Sequence, residues 1–193
     1  ILDRSKTPMG ARLLRSWLLA PLCKVAAIQA RQQATAELLA DPALLNELSG
    51  HLERVLDLER LTARAAFGRA NGRDLVALRQ SLEQLPAIKS RLLEAKAPAL
   101  QHIATTLDPL SELAATIAST LVDEPPLQLK DGGLIRVGHH QELDELRLLA
   151  RDSTTWLARY QQQLVASTGI PSLKISFNKV FGYYIEVTHT HKE

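Results

Sequence analysis

Residues 141–188, QELDELRLLARDSTTWLARYQQQLVASTGIPSLKISFNKVFGYYIEVT, carry the clearest structural signals of the chain. The first part of this stretch carries a heptad stripe, with spacings of three and four between Leu143, Leu146, Ala150, Ser153, Leu157, Tyr160 and Leu164. The pattern predicts one helix over about residues 140–167, roughly 40 Å long at a rise of 1.5 Å per residue. So narrow a stripe on so long a helix favours an arm that packs against a partner helix.

Beyond Gly169 the apolar residues alternate with polar ones, which is typical of strands. Two alternating runs, 173–178 and 183–188, flank the sequence Asn178-Lys-Val-Phe-Gly182 and predict a β-hairpin. Gly182 is free to adopt a positive φ or a bulge at the turn. A two-stranded hairpin is marginal by itself in water, so we expect further strands from a continuation of the chain.

Helical periodicity dominates the sequence before the long stripe, and prolines punctuate it. The pairs Thr7-Pro8, Asp41-Pro42 and Asp108-Pro109 each place a capping residue before a proline, and predict three helix starts. The helix that begins at Pro42 is predicted to run to a break at Asn71-Gly72, and Pro86 is predicted to kink or split the helix that follows.

Paired prolines and paired glycines make Glu124–Gly133 a predicted loop. We therefore predict three parts, which are a helical domain (1–132), a long helix (133–168) and the start of a β domain (169–193). The fold class is mainly α: a multi-helix bundle with one long, lever-like helix that leads to a small β-hairpin.

The chain has 193 residues, of which 46% are hydrophobic, so it can bury a sizeable core. Its formal charge of +2 is too weak to indicate nucleic-acid binding by itself. Residues 1–40 are more basic, because six Lys or Arg residues stand against Asp3 and Glu37, a net +4. This segment fits either contact with phosphate or an acidic partner, or an ordinary solvated helix face.

The motifs of nucleotide and metal chemistry are missing from the sequence, which has no G-x-x-x-x-G-K-[ST], G-x-G-x-x-G, H-E-x-x-H or C-x-x-C. We therefore predict no catalytic residues, no bound cofactor and no enzyme activity for this segment. The single cysteine, Cys23, excludes an internal disulfide and is interpreted as a small hydrophobic residue in a helix. No apolar run is long enough to span a membrane, and no membrane partner is predicted.

Candidate DNA-binding residues cluster around the hairpin, where lysines and short polar side chains suit contacts with phosphate. They are Lys174, Asn178, Lys179, Thr188, His189, His191 and Lys192. The aromatic residues Phe177, Phe181 and Tyr183 are interpreted as packing the hairpin onto the arm, in preference to stacking on bases.

Two histidine pairs are possible metal ligands. His139 and His140 are adjacent, so on a helix they point about 100° apart and do not easily hold one metal. His189 and His191 share one face of a possible strand, but Glu193 is the only nearby third ligand. Ordinary surface histidines are the preferred interpretation, and no metal site is predicted.

Several blocks read together resemble MutS-type DNA mismatch repair proteins, over essentially the whole chain and in the family's order. The blocks are Leu2–Leu22, Asp57–Leu61, Arg73–Leu75, Ser81–Pro86, Asp131–Gly133, Glu142–Arg147 and Phe177–Val187. The last block is similar to the base of the family's DNA clamp, and Glu142–Arg147 to the entry of its lever helix. His139-His140 departs from the pattern, where the family more often has an aromatic-Asn pair.

The resemblance implies a dimeric, ring-like ATPase that encircles double-stranded DNA, recognises mispairs and recruits repair factors of the MutL type. It also implies that ATP and magnesium bind in an ATPase domain outside this segment, and that the protein is bacterial, cytoplasmic and associated with the nucleoid. The segment itself is expected to contact the DNA backbone nonspecifically and to couple the ATPase to DNA and mismatch binding. The alternatives are a helical protein-interaction scaffold, a small metal-dependent enzyme, and the core of a MutS paralogue without mismatch recognition.

Overall fold

The fold was obtained as a computed structural model that describes residues 3–178, 180 and 182–187, apart from the side chains of residues 153 and 154. These residues form nine α-helices, a 3₁₀ turn at Leu129–Asp131 and two strands. The elements are α1 (Pro8–Leu19), α2 (Val25–Ala40), α3 (Pro42–Leu52), α4 (Leu58–Ala66), α5 (Gly72–Leu82), α6 (Leu85–Leu93), α7 (Pro98–Thr106), α8 (Ser111–Thr120), α9 (Gln141–Thr168), β1 (Lys174–Asn178) and β2 (Gly182–Glu186). The predicted fold class, mainly α with a small hairpin, is confirmed.

The chain divides into two compact units, residues 1–136 and residues 137–193. We call them the helical unit and the arm unit. The helical unit contains α1 to α8, and the arm unit contains α9 and the hairpin. None of the helices in the described part of the chain is long and apolar enough to cross a membrane.

Two of the three predicted helix starts are confirmed by their caps. Thr7 Oγ1 accepts a hydrogen bond from Gly10 N at 3.0 Å, and Asp41 Oδ1 accepts one from Leu44 N at 3.0 Å. The third start is wrong by two residues, because α8 begins at Ser111. Asp108 Oδ1 instead accepts from Leu110 N at 2.9 Å, in a turn that leaves Leu110 in the left-handed region with φ 51°.

The prediction of one helix from Pro42 to Asn71 is wrong, because α3 ends at Leu52 and α4 begins at Leu58. Between them Leu56 N donates to Ser81 Oγ at 3.0 Å. Ser81 is fully buried, and its Oγ donates in turn to Ala77 O at 2.8 Å. A side chain of α5 therefore satisfies a backbone group at the break, and stabilises a turn where the leucine periodicity predicts helix.

The two other predicted breaks agree with the structure. Asn71 and Asp74 form a capping box at the start of α5, in which each side chain accepts from the backbone of the other residue at 2.9 to 3.0 Å. Pro86 lies in the first turn of α6, after α5 has ended at Leu82. Proline is tolerated in this position because the amide it lacks has no partner within the helix.

Two clusters of buried side chains form the core of the helical unit. The larger one joins α3, α6 and α7 and contains Leu44, Leu48, Val55, Ile88, Leu92, Ala95, Ala97, Leu100 and Ala104. The smaller one joins α5 to α8 through Val76, Ile117 and Leu121. Glu37 of α2 adds a polar contact, because its carboxylate accepts from Lys96 N at 2.6 Å and Ala97 N at 2.5 Å, before α7.

The segment after α8 closes the smaller cluster. Leu121 and Ile135 form an antiparallel bridge, and Val122 N donates to Leu134 O at 3.1 Å. Arg136 Nε donates to Ala118 O at 3.1 Å and to Leu121 O at 3.2 Å. These carbonyl groups lie at the end of α8, where a cation is also favoured by the helix dipole.

The arm unit contains a 28-residue helix followed by the hairpin, as the change of period predicts. Gly169 ends α9 in the left-handed conformation with φ 73°, which glycine adopts without steric cost. The strands β1 and β2 are antiparallel, with Lys174 opposite Glu186 and Asn178 opposite Gly182. Gly182 has a φ of 75°, so the predicted positive φ is confirmed.

Candidate nucleic-acid interface

Two of the predicted DNA-binding residues, Lys174 and Asn178, lie at the two ends of β1. They share one face of the strand, because side chains alternate along it. The other five predicted residues lie outside the described part of the chain. They are Lys179, Thr188, His189, His191 and Lys192.

Asn178 has a structural role in the turn. Its Oδ1 accepts a hydrogen bond from Val180 N at 3.0 Å, two residues further along the chain. Asparagine commonly shapes turns by such a bond to its own backbone. The side-chain oxygen of Asn178 therefore stabilises the hairpin connection, and Lys174 is the described residue on β1 whose charge suits a phosphate.

Charge on the described strands is balanced. Lys174 is exposed, and Glu186 stands directly opposite it on β2. A cross-strand pair of opposite charges stabilises a hairpin modestly, by about 0.2–1 kcal/mol. Lys179 and Lys192, the other predicted lysines, lie outside the described residues.

The aromatic residues of the strands pack on each other. Phe177 and Tyr183 are cross-strand partners whose ring centroids are 5.0 Å apart with an interplanar angle of 58°. Phe177 is 60% exposed and Tyr183 is 63% exposed, so neither ring is buried. Tyr183 nevertheless lies on the side of the hairpin next to α9, which agrees with the interpretation that it packs towards the arm. Phe181 lies outside the described residues. The pair stabilises the hairpin at its surface, as tilted aromatic pairs do.

An apolar groove of about 400 Å³ lies between α9 and the hairpin. Its lining comes from both elements and consists of Trp156, Leu157, Tyr160, Ile175, Tyr183, Tyr184 and Ile185. Trp156 and Tyr160 stack with their centroids 5.1 Å apart. Gln161 Oε1 accepts from Ile175 N at 3.1 Å, and so joins β1 to the helix.

Sequence reasoning missed Trp156 and Gln161 as members of this groove and its support. Both are adjacent to residues of the heptad stripe, Leu157 and Tyr160, but neither belongs to the stripe itself. The usable signal was the spacing of four between Trp156 and Tyr160, since residues four apart on a helix are neighbours.

The basic segment of residues 1–40 uses much of its charge within the helical unit. Lys6 Nζ lies 2.5 Å from Glu53 Oε1, and Arg31 lies over the ring of Trp17 at 3.6 Å from its centroid. A guanidinium over an indole face is a favourable cation–π contact. The positive bias of this segment is therefore weak support for a phosphate-binding surface.

Arg12 links α1 to the start of α4. It donates to the two carboxylate oxygens of Asp57 at 2.8 and 2.9 Å, and its Nε donates to Glu59 at 2.9 Å. Asp57 also caps α4, because its Oδ1 accepts from Arg60 N at 3.2 Å. The hydrogen bonds from Arg12 hold the pKa of Asp57 down at about 2, well below its ordinary value of 3.8.

This lowered pKa predicts a specific loss of stability in acid. Because folding lowers the pKa of Asp57, the stabilisation from its charge is complete above about pH 5 and is lost as the pH falls to about 2. Asp57→Asn keeps a capping oxygen but removes the charge. Urea unfolding at a series of pH values should show that the difference in free energy of unfolding between the original protein and this variant shrinks from about pH 5 to pH 2.

Asp108→Asn is the matched control, because Asp108 also accepts from a backbone amide but has no ion pair among the described residues. Its effect on stability is expected to depend less on pH. A difference between the original protein and Asp57→Asn that stays constant from about pH 5 to pH 2 would contradict the role given to Arg12.

The described residues provide no metal site and no paired cysteine. No three or more of their His, Cys, Asp and Glu side chains are grouped so that they can hold a metal ion. His189 and His191 lie outside this description. Cys23 is exposed in the connection between α1 and α2, so its interpretation as a helical residue is wrong.

The chain matches known proteins along almost its whole length. Residues 1–179 match the family model of MutS domain III. The chain is 48% identical over 191 residues to the DNA mismatch repair protein MutS of Desulforamulus reducens, 47% over 195 residues to that of Methanosarcina barkeri, and 42% over 191 residues to that of Brevibacillus brevis. Each alignment covers 99% of this chain and 22% of the relative, so the chain spans about a fifth of the length of these relatives.

Proposed function

The chain belongs to the MutS family of DNA mismatch repair proteins, and from this we propose that it forms the lever of such a protein and the root of its DNA clamp. In this proposal α9 carries movement along its length, and the hairpin contacts the backbone of duplex DNA without reading its sequence. The helical unit is the core from which the lever starts.

The observation that carries the proposal is the direct connection of a long helix to a hairpin. The 28 residues of α9 give a length of roughly 40 Å. Side-chain and glycine caps close the two ends, at His140 and Gly169. The bond from Ile175 N to Gln161 ties β1 to the helix, so that a displacement of α9 moves the hairpin with it.

Contact with DNA is assigned to lysines of the hairpin and of the residues after it, which are Lys174, Lys179 and Lys192. Lysine side chains neutralise phosphates and release counterions, which favours binding to any sequence. The Oδ1 of Asn178 is bound in the turn, but a phosphate would accept a hydrogen bond from its Nδ2 amide, so Asn178 stays a predicted contact. Phosphate contacts of this kind suit a clamp, because they position the protein on DNA without contacts to the bases.

The exposed apolar side chains of α9 support its role as an arm. Leu146, Leu149 and Trp156 are 56%, 66% and 60% exposed. Side chains of this kind on one long helix favour contact with another helix, and we propose that this helix belongs to the same mismatch repair protein. The same observation favours the second candidate function, a helical scaffold that docks another protein along α9.

The relatives are named DNA mismatch repair proteins, and the proposal extends to a complete protein of that kind. We propose that it binds double-stranded DNA as a homodimer and acts with factors of the MutL type in the bacterial cytoplasm, near the nucleoid. ATP and magnesium would bind in a separate ATPase domain. The lever would then couple that domain to binding of DNA and of mismatches.

The test is a salt titration of DNA binding by the complete mismatch repair protein that carries this segment. Changing Lys174, Lys179 and Lys192 together to alanine should weaken binding to a duplex by at least about ten-fold at physiological salt. The slope of log affinity against log salt should also fall by about 0.9 for each phosphate that the variant no longer neutralises. Fluorescence anisotropy with labelled duplexes, matched and mismatched, measures both quantities.

The matched control changes three exposed lysines of the helical unit to alanine, namely Lys24, Lys96 and Lys130. It removes the same charge, so it corrects for the change in the overall field of the protein. Equal affinities and equal salt slopes for the two triple variants would reject the hairpin as the DNA contact. The scaffold function would then be favoured, since it needs no phosphate contacts at the hairpin.

A further inference from the structure

A histidine caps the start of the lever helix. His140 is the residue before α9, and its Nδ1 accepts a hydrogen bond from Leu143 N at 3.3 Å. The usual residues in this position are Ser, Thr, Asp and Asn. Their side-chain oxygens accept a hydrogen bond at neutral and weakly acidic pH alike, since Asp is protonated only in stronger acid. Histidine differs from all of them, because Nδ1 accepts only while it carries no proton.

We propose that His140 is a pH-sensitive cap, which holds the first turn of α9 when its ring is neutral and releases it when the ring is protonated. Protonation converts Nδ1 from an acceptor into a donor, so that Leu143 N loses its partner. It also places a positive charge beside the N-terminus of a helix, where the aligned peptide dipoles already give a partial positive charge. Both effects destabilise the same turn.

Charged neighbours set the size of the effect. Asp144 is already engaged, because its Oδ2 accepts from Gly138 N at 2.6 Å and its Oδ1 lies 3.0 Å from Arg147 Nη1. Glu142 is the other carboxylate of the first turn, and its attraction for a protonated ring reduces the repulsion from the dipole. It does not restore the lost acceptor. His139, which precedes His140, adds a second positive charge when it is protonated.

The release is confined to the first turn and changes where the rigid part of α9 begins. The bonds of Asp144 to Gly138 and Arg147 persist when His140 is protonated, since they do not involve the ring. The remaining turns keep their own backbone hydrogen bonds. In weakly acidic solution the helix is therefore expected to fray at residues 141–143 and to remain intact from about Asp144 onward.

Amide hydrogen exchange of Leu143 in the full chain tests the proposal. After correction for the intrinsic exchange rate, its protection should fall about five-fold between about pH 7.5 and pH 5.5, which is the size expected for a lost cap. His140→Asn should keep the protection at both pH values, because the amide oxygen accepts at either. His140→Ala should lack it at both.

His139→Asn is the control, since the side chain of His139 makes no hydrogen bond within the described residues. It should lose protection with falling pH as the original chain does. Two results would overturn the proposal: the same protection at both pH values in the original chain, or the same pH-dependent loss in His140→Asn. Circular dichroism of each variant at both pH values checks that the rest of the helices are intact.

Discussion

Replacing Leu61 by alanine is expected to lower the free energy of unfolding by about 3 kcal/mol. Leu61 is only 2% exposed, and it is the one buried residue of α4 within the described structure. The other residues of this short helix are partly or largely exposed. Removing most of the Leu61 side chain loses its burial and leaves a cavity, and α4 has no second buried anchor to compensate.

Urea unfolding of the full chain, followed by circular dichroism, measures this change. Leu93→Ala is the matched control, because Leu93 also lies in a helix of the same unit but is 52% exposed. Its effect is expected to stay within about 0.5 kcal/mol. Equal losses of stability in the two variants would show that α4 does not depend on the burial of Leu61.

Replacing Gly72 by valine is expected to cost a similar amount, about 3 kcal/mol, through overpacking. A Cβ at this position would lie 2.8 Å from Cβ of Pro125 and closer still to Cδ1 of Leu134. The leucine side chain can rotate away, but the proline ring cannot. Pro125 is also held in place by Arg73, whose Nε donates to its carbonyl oxygen at 3.1 Å.

Gly50→Val is the control for Gly72→Val. Gly50 lies in α3, is exposed, and has no atom within 4 Å of the position that a Cβ would take. Since valine is no worse than glycine within a helix, the expected change is within about 0.5 kcal/mol. The same urea experiment compares the two variants, and a Gly72→Val protein as stable as Gly50→Val would disprove the close contact with Pro125.

The helix break at Gly72 was predicted correctly, but the local sequence explains only part of its cause. The pair Asn71-Gly72 predicts a break between helices, and α5 begins there. The local signal explains the cap, because Asn71 accepts from the backbone of Asp74. It does not explain why glycine is needed, which is the approach of a proline 53 positions further along the chain. Only the folded structure brings these two residues together.

Periodicity predicted the elements whose causes are local. The long helix and the hairpin follow from a stripe and an alternation, and both are confirmed. The break between α3 and α4 was missed because apolar residues continue through it at helical spacing. Its cause is the hydrogen bond from Leu56 N to Ser81, which joins residues 25 positions apart. Asp57, the cap of α4, was the local signal for the second helix start, whereas the contact with Ser81 lies outside residues 42–61.

For the candidate DNA-binding residues too, the sequence predicted the local features but not the contacts between distant residues. Lys174 was predicted from its charge and its place on a strand; it is exposed on β1, and its contact with phosphate stays a prediction. The role of Asn178 in the turn was missed because contact with phosphate and turn formation use the same polar side chain. The pairing of Arg12 with Asp57 joins two of the blocks that identify the family, and sequence alone gave no reason to associate them.

The rigid connection of α9 to the hairpin has a consequence for insertions and deletions. Each residue of an α-helix advances the chain by about 1.5 Å and turns it by about 100°, so one inserted residue within α9 would aim the hairpin in a different direction. Seven inserted residues would return it to within about 20° of its original heading and carry it about 10 Å further out. The length of this helix is therefore constrained in phase as well as in distance, and changes of seven residues are the ones that a functional lever should tolerate best.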